Sequence, residues 1–286
     1  MTRLLVCLRQ ALFGLMITTV LATLAATPAR AQSGPVAPPE PAAEEVRKPP
    51  FKSIFAYGAV SFVELRGQDS TWSLAGVGAV VNASDSGHTT VEAQRAARPG
   101  LENWRGSVRH DEQLSADTSA YLQVSASTGD PLREDWGIAA GGIQRLGGQV
   151  QLTLDTRIAR YSTPDPAARQ SGFVGLAVTP GIVVSPRGTP LELSAQAIIL
   201  RNDRKQWQAG GAVRALYYTG DRDFFIAGAS RYPENELGIV RQLTAFHAGF
   251  RRELGQGIGL RFTAEQADLE GAWKARTLSI GLEKRF

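Results

Sequence analysis

The sequence predicts an all-β fold, an antiparallel up-and-down transmembrane β-barrel. From Phe51 onward, segments of about ten residues alternate apolar and polar side chains between turn signals. Such a period of two is typical of strands that have one apolar and one polar face. The chain also ends inside one of these segments, at Phe286, and a leader typical of export precedes them all. Together these observations indicate a barrel whose apolar face meets the lipid of a bacterial outer membrane.

The leader occupies residues 1–31. Arg3 and Arg9 give it a basic start, residues 11–25 form an apolar run, and Ala29 and Ala31 frame a small-x-small site. This order of features predicts a secretory signal peptide that is cleaved after Ala31. The alternative is a transmembrane anchor, which needs roughly 20 apolar residues, and the run is shorter than that.

Residues 32–50 are rich in proline and small side chains, and they contain few large apolar residues. This composition predicts an extended, disordered lead-in between the signal peptide and the first strand. No similar linker recurs further along the chain. Residues 51–286 are therefore expected to form a single barrel domain.

The composition argues against two classes of function. The chain has 31 Lys and Arg against 27 Asp and Glu, but Arg3, Arg9 and Arg30 lie in the leader, leaving 28 basic residues against 27 acidic ones. Nucleic-acid binding needs a basic excess on one face, so no nucleic-acid partner is expected. The single cysteine, Cys7, also lies in the leader, so neither a disulfide nor a thiolate metal site is expected after cleavage.

Fourteen segments of the remaining chain are predicted to be strands. An even number is typical of bacterial outer-membrane barrels, and the pattern allows twelve to sixteen. Their spacing suits tilted spanning strands of roughly 9–11 residues with a connection after each. The predicted strands are residues 53–65, 71–82, 88–97, 103–113, 118–127, 136–145, 149–161, 172–184, 191–201, 206–219, 223–231, 241–253, 258–267 and 273–286.

The connections between these strands are expected to alternate between short periplasmic turns and longer outer loops. The sixth and twelfth connections, residues 146–148 and 254–257, are short. The fifth, seventh and eleventh, residues 128–135, 162–171 and 232–240, are the longest. The short connections are even-numbered and the long ones are odd-numbered. This alternation predicts that both termini of the barrel lie in the periplasm and that the long loops lie outside the cell.

Nine aromatic residues fall near the ends of predicted strands. Tyr and Trp are amphipathic and settle at the level of the lipid headgroups, so these residues are expected to form an aromatic girdle. They are Tyr57, Trp72, Trp104, Trp136, Tyr161, Trp207, Tyr217, Tyr218 and Trp273. The same alternation predicts that large apolar residues such as Leu122, Val213 and Phe246 face the lipid.

The last strand carries a pattern typical of the signal read by the outer-membrane assembly machinery. Leu278, Ile280 and Leu282 occupy alternate positions, and the chain stops at the aromatic Phe286. Lys284 departs from the pattern, because an apolar residue is usual there. Its long side chain can reach the membrane interface while the apolar stem stays buried.

The polar face of the predicted barrel collects charges of both signs. If these charges pair with one another, they form structural ladders within the wall. If they stay unpaired, they line a polar conduit with a constriction. The candidate lumen-lining residues are Arg105, Arg109, Asp155, Arg157, Glu192, Arg214, Arg251, Arg261 and Glu265. The sequence leaves both interpretations open.

Catalysis is not expected. The three histidines are His88, His110 and His247, and no Gly-x-Ser-x-Gly motif is present. His110 with Asp111 is the best acid–base candidate, but neighbouring residues of a strand point to opposite faces and would not meet. No paired histidine or carboxylate motif with metal-ligand spacing occurs, so neither a metal nor a cofactor is expected.

Several stretches of the chain resemble the YaiO-type family of outer-membrane β-barrels. They are residues 76–81 and 89–95, residues 121–125, the run Asp135-Trp136-Gly137, and residues 215–221. The resemblance spans residues 51–286. It implies a barrel related to the barrel domains of exopolysaccharide export proteins, and it implies no catalytic residues.

The resemblance implies a channel or an accessory protein in the export of exopolysaccharide or another polar solute. In the related export proteins a periplasmic domain of helical repeats precedes the barrel, and the lead-in of this chain is too short to form one. The expected partners are outer-membrane lipid and lipopolysaccharide, the outer-membrane assembly machinery and periplasmic export components. The alternative is a closed structural or surface-interaction barrel that acts through its outer loops, chiefly residues 162–171 and 232–240.

Overall fold

The computed structural model describes residues 51–65, 67–128, 134–161, 173–201, 206–236 and 239–286. These residues form fourteen antiparallel strands that close into a barrel. The predicted signal peptide, the proline-rich lead-in and the long seventh connection lie outside the described residues. Within the described ranges, no helix is long and apolar enough to cross a membrane.

Each predicted strand corresponds to one observed strand, so the prediction of a closed fourteen-stranded barrel is confirmed. The strands are β1 (Phe51–Leu65), β2 (Gln68–Asn82), β3 (Gly87–Arg98), β4 (Leu101–Gln113), β5 (Thr118–Ser127), β6 (Glu134–Arg145), β7 (Val150–Tyr161), β8 (Phe173–Val184), β9 (Leu191–Arg201), β10 (Trp207–Tyr218), β11 (Phe224–Glu236), β12 (Ile239–Gly255), β13 (Ile258–Leu269) and β14 (Trp273–Arg285). Every strand pairs with its neighbours in sequence, as in an up-and-down barrel.

The first and last strands close the ring. β1 pairs with β14 along its length, from Ser53 opposite Arg285 to Leu65 opposite Trp273. Closure leaves no free strand edge, as lipid requires, because lipid cannot hydrogen-bond an open edge. Phe51 and Phe286 lie at one end of the barrel, which we name the terminal rim, and Leu65 and Trp273 lie at the opposite end, the far rim. The assignment of the terminal rim to the periplasm stays a prediction.

The outer face of the wall is apolar. Phe62 on β1 and Ile280 on β14 are 57% and 56% exposed, although each has a large apolar side chain. Such a belt around a closed barrel matches the lipid-facing surface of outer-membrane barrels. The phenyl rings of Phe250 and Phe262 stack within it, with centroids 5.8 Å apart. Other exposed members are Trp104, Leu122, Leu152, Leu154, Val213, Tyr217, Phe246, Leu278 and Leu282.

The predicted aromatic girdle is only partly correct. Trp104, Trp136, Trp207 and Tyr217 are exposed on the outer face. The strand register places Tyr57, Trp72, Tyr161, Tyr218 and Trp273 on the opposite face, which lines the lumen, so their assignment to the girdle was wrong. A position near a strand end does not decide which face a side chain occupies, because the face alternates with every residue.

The eleventh connection was predicted to be long, and this prediction was wrong. β11 and β12 stay paired up to Glu236 opposite Ile239, so most of residues 232–240 extend the hairpin instead of forming a loop. The short sixth and twelfth connections are confirmed. Gly147 and Gly257, in these turns, have φ of 78° and 73°, a left-handed conformation that glycine adopts without strain.

An apolar cluster fills part of the lumen near the far rim. Leu243, Ala245, Ala267 and Leu269 are buried together, and Tyr232, Ala272 and Trp273 pack against them. Val63, which faces inward from β1, is 1% exposed. The far end of the lumen is therefore partly closed by packed side chains of the wall itself.

Candidate functional site

The lumen face of the wall is the candidate functional site. The nine charged residues expected there all lie on the face opposite the apolar belt. Arg261, for example, pairs with Gly281, and Gly281 pairs with the inward Tyr57. The register places on this face Arg105 and Arg109 of β4, Asp155 and Arg157 of β7, Glu192 of β9, Arg214 of β10, Arg251 of β12, and Arg261 and Glu265 of β13.

One network joins four strands through the carboxylate of Glu134. Its Oε1 lies 3.0 Å from the Arg105 guanidinium and accepts a hydrogen bond of 2.8 Å from the Ser125 hydroxyl. Its Oε2 pairs with the guanidinium of Arg157. The Glu134 side chain is only 7% exposed, and a carboxylate so far from water requires such partners.

Sequence reasoning missed Glu134. The predicted strand began at Trp136, which left Glu134 in a connection. A β-bulge lies between Glu134 and Trp136, and it breaks the alternation at this point. Glu134 therefore faces the lumen while Trp136 faces outward, although a regular strand would place both on the same face. No hydropathy signal in the sequence marks the bulge.

A second network runs from β4 to β7. Arg109 forms an ion pair of 2.6 Å with Asp111, and its guanidinium lies 3.7 Å from the centroid of the Tyr121 ring. The Tyr121 hydroxyl donates a hydrogen bond of 2.5 Å to Asp155. Charged hydrogen bonds and a cation above an aromatic face strengthen one another when partly shielded from water. The side chains of this network are therefore held in place.

Ion pairs of the lumen face also lie near the terminal rim. Arg251 is 2.7 Å from Glu283, and Arg285 pairs with Glu253. These contacts join β12 to β14 across β13. A looser pair, Arg214 with Glu192 at 3.7 Å, lies on β9 and β10.

Arg261 and Glu265 differ from all of these residues. Both face the lumen, both are exposed, and neither bonds to any residue in the described ranges. The neighbours of Glu265 in the strand register are His247 and Thr277. The neighbour of Arg261 on β12 is Arg251, which has the same charge and is already bound to Glu283.

Side chains of two strands that are not neighbours interact near the far rim. Glu234 on β11 lies close enough to Tyr161 on β7 to act electrostatically on its hydroxyl group. These strands are not neighbours, since β8, β9 and β10 separate them. Both side chains lie at the same end of the barrel as the apolar cluster.

The acid–base candidates His110 and Asp111 do not form a pair in the structure, and Oδ2 of Asp111 lies 3.9 Å from Nε2 of His88. His110 is near Thr89 and Glu112, at 3.1 and 3.3 Å, on the outer face. Asp111 points to the lumen, where it binds Arg109, so His110 and Asp111 do not meet. The described part of the chain also contains no group of three or more His, Cys, Asp or Glu side chains that could hold a metal ion.

Comparison with known proteins gives no family. No protein family matches the chain, and no curated protein matches its sequence. Solved structures do match the fold. The CymD monoaromatic hydrocarbon channel aligns with a TM-score of 0.57 and 11% identity over 82% of this chain and 89% of its own. The Ralstonia pickettii toluene transporter TbuX aligns with a TM-score of 0.55 and 10% identity over 82% of this chain and 90% of its own.

A third structure, a Pseudomonas aeruginosa FadL homologue, aligns with a TM-score of 0.51 and 11% identity over 82% of this chain and 90% of its own. The chain is an integral outer-membrane β-barrel. At these identities the likeness shows the fold and nothing about the solute. The specific resemblance to the YaiO-type family stays a prediction, because no family match bears on it.

Proposed function

We propose that this outer-membrane barrel is a channel for a polar solute. The observation that carries the proposal is the exposure of Arg261 and Glu265 inside a closed barrel, with no bonding partner among the described residues. An unpaired charge is very unfavourable away from water. Water must therefore reach the middle of the lumen along β13. The solved channels and transporters that share the fold support this proposal at the level of architecture only.

Other charged residues of the lumen face extend the hydrated surface. The side chain of Arg214 on β10 is 44% exposed although it also points inward. A solute that follows this wall would meet charges of both signs and would pass Tyr161 and Glu234 at the far end. Polar groups along a path of this kind determine which ions and solutes pass.

Conductance of the purified mature chain tests the proposal. We expect discrete current steps after insertion into a planar lipid bilayer. Heat-dependent migration on a gel and circular dichroism would show that the inserted protein is folded. A folded barrel that inserts and passes no current would overturn the channel function.

The apolar cluster at the far rim favours a second candidate, the closed barrel that acts at its surface. Leu269 and Val63 are each 1% exposed, so this part of the lumen is packed like a protein core. A folded barrel that inserts into the bilayer and passes no current would support this candidate. Residues 232–240 form mostly a hairpin. In a closed barrel that acts at its surface, they would provide an extended two-stranded surface and not a flexible loop.

Export of an exopolysaccharide is a more specific version of the channel proposal. Only the resemblance to the YaiO-type family supports it. Deletion of the gene should then reduce the polysaccharide outside the cell, and a plasmid copy should restore it. Normal secretion in the deletion strain would contradict this more specific version and leave the channel intact. Periplasmic export components, if they bind the barrel, should be recovered by crosslinking at the terminal rim.

We also propose that the last strand is the signal for the assembly machinery. Leu278, Ile280, Leu282 and Phe286 are all about half exposed or more, on the outer belt or at the chain end. Removal of the terminal aromatic ring by Phe286→Ala should lower the amount of folded protein in the outer membrane. Equal amounts of folded wild type and variant would contradict this role.

A further inference from the structure

Two aromatic rings lie against the lumen wall on β1. Phe55 and Tyr57 occupy successive inward positions, and their rings are inclined by only 16° with centroids 6.4 Å apart. Gly78 and Gly76 lie beside them on β2. A Cβ atom would lie 2.9 Å from Cε1 of Phe55 at Gly78, and 2.6 Å from Cε1 of Tyr57 at Gly76. Each ring thus occupies the space that a side chain of β2 would take.

This packing places both rings over the β2 backbone, on the lumen face of the wall. Both residues are partly exposed, as expected for rings that lie along a hydrated wall. The ring planes are nearly parallel, and both rings lie over the glycines of β2, so they form one continuous apolar surface. We name this surface, with the two residues that border it on β3, Glu92 and Gln94, the aromatic platform.

The border of the platform offers hydrogen-bond acceptors. The Tyr57 hydroxyl donates to Oε1 of Glu92, and the Gln94 amide nitrogen donates to the Tyr57 oxygen and, at 2.9 Å, to the same Oε1. These bonds use Oε1 of Glu92 and the nitrogen of Gln94. Oε2 of Glu92 and Oε1 of Gln94 have no partner in the described part of the chain. Both atoms accept hydrogen bonds and cannot donate them when Glu92 is ionised.

A second aromatic pair on the same side of the barrel lacks these features. Trp72 and Trp273 meet edge to face at 6.0 Å, and the Arg98 guanidinium lies 5.0 Å above the Trp72 ring. Trp273 also packs against the apolar cluster. These indoles are therefore engaged with other side chains, whereas Phe55 and Tyr57 pack against the glycines of β2 and stay partly exposed in the lumen.

We infer that the aromatic platform binds a ring compound that carries hydroxyl groups. The flat face of such a ring covers Phe55 and Tyr57, and two of its hydroxyl groups donate to Glu92 and Gln94. Sugars and phenols share this chemistry. A plain hydrocarbon ring lacks donors and would leave both acceptors dehydrated and unpaired, which is unfavourable. The inference rests on the proposed channel function, because it names the class of solute that the lumen recognises.

Binding to the folded full-length mature protein tests the inference. D-glucose, catechol and toluene are added in turn, and binding is measured by titration calorimetry in detergent and by block of the current in a bilayer. We expect saturable binding of glucose or catechol and none of toluene. Saturation by glucose alone identifies a sugar site, and saturation by catechol alone identifies a site for phenols.

Three variants locate the site. Tyr57→Ala removes half of the platform and should abolish measurable binding, whereas Glu92→Gln keeps its shape and should weaken binding about tenfold by removing a charged acceptor. Tyr218→Ala is the matched control, because Tyr218 also faces the lumen beside a glutamate but meets Phe224 edge to face, with centroids 5.9 Å apart. It should bind as the wild type does.

The outcomes separate the two proposals. Binding of toluene with no effect of Glu92→Gln would overturn the inference in favour of a hydrocarbon site. A barrel that conducts but binds neither glucose nor catechol would overturn the inference and leave the channel proposal standing. A barrel that binds glucose or catechol in detergent but never conducts would overturn the channel and support a ligand site in a closed barrel. If Tyr57→Ala fails to fold, the Glu92→Gln result alone decides.

Discussion

Two walls of the same lumen use the same charged residue types in opposite ways. On β3 to β7, which we name the paired wall, Arg105, Arg109, Asp155 and Arg157 are bound into networks that cross several strands. On β13, the open wall, Arg261 and Glu265 have no partner among the described residues and are exposed. A charge on the lumen face therefore has no fixed role. Its role depends on whether an opposite charge is within reach.

The difference follows from the neighbours that each wall provides. In the paired wall, β6 places small residues inward, and a Cβ on Gly137 would already lie 3.1 Å from Oε2 of Glu134. This leaves room for the carboxylate to lie between Arg105 and Arg157. On the open wall, the neighbour of Arg261 on β12 is Arg251, a like charge. The charges of the paired wall thus bind one another, whereas those of the open wall are exposed to the lumen.

The largest effect is expected for Glu134→Ala. The substitution leaves the guanidinium groups of Arg105 and Arg157 without their shared carboxylate in a mostly buried site. Removing one partner of a buried ion pair lowers the free energy of unfolding by about 3 kcal/mol or more. Unfolding by urea in lipid vesicles, followed by tryptophan fluorescence, measures this loss. Glu265→Ala is the matched control and should change the free energy by less than about 0.5 kcal/mol. Equal losses in the two variants would abolish the distinction between the walls.

A smaller loss is expected for Gly141→Ala in the paired wall. The new Cβ would lie 2.5 Å from Oδ1 of Asp155 and 2.6 Å from both the Leu154 carbonyl oxygen and the Tyr121 ring. Because backbone cannot give way easily, this overpacking should lower the free energy of unfolding by about 1–3 kcal/mol. The same urea titration measures it.

Gly58→Ala is the control for this crowding. Gly58 lies on β1, and its added Cβ would approach only the Leu74 carbonyl oxygen, at 3.7 Å. Alanine also loses less backbone freedom on folding than glycine, so the variant should be as stable as the wild type or slightly more stable. A Gly141→Ala barrel as stable as Gly58→Ala would show that the network moves aside without loss.

The sequence predicted the fold better than the site for a physical reason. Alternation is local, so it identified all fourteen strands and the face on which residues such as Arg157 and Arg261 lie. Pairing is not local, because the register between strands decides which side chains meet. Tyr121 and Asp155, for instance, are bonded although they belong to β5 and β7. Alternation therefore placed Arg157 and Arg261 on the same lumen face without distinguishing them. Only the three-dimensional structure shows that Arg157 is bonded and that Arg261 has no partner among the described residues.

The first strand shows a second limit of the sequence. β1 carries large apolar residues on both faces, with Phe55 turned inward and Phe62 outward. Hydropathy alone does not decide which face of such a strand meets lipid. Tyr57 was assigned to the girdle because it lies near the end of a predicted strand, and the structure places it in the lumen. The glycines of β2 are the local signal that could have indicated it, since a ring that lies on a neighbouring strand needs a position without a side chain.

The smallest effect on stability, and the most informative about function, is expected on the open wall. Arg261→Gln and Glu265→Gln should each change the free energy of unfolding by less than about 0.5 kcal/mol, because neither removes a bond to a described residue. Each removes one charge from the hydrated path. The reversal potential in a salt gradient should therefore shift toward cation preference for Arg261→Gln and toward anion preference for Glu265→Gln.

Salt dependence distinguishes these charges from those of the paired wall. Exposed charges are screened over about 10 Å at 0.1 M salt and about 3 Å at 1 M, so both shifts should shrink as salt is raised. Arg109→Gln provides the comparison, because it breaks the pair with Asp111 and should mainly lower stability. If Arg109→Gln shifts the reversal potential more than Arg261→Gln while the barrel stays equally stable, the solute passes along the paired wall, and the functional assignment of the two walls must be exchanged.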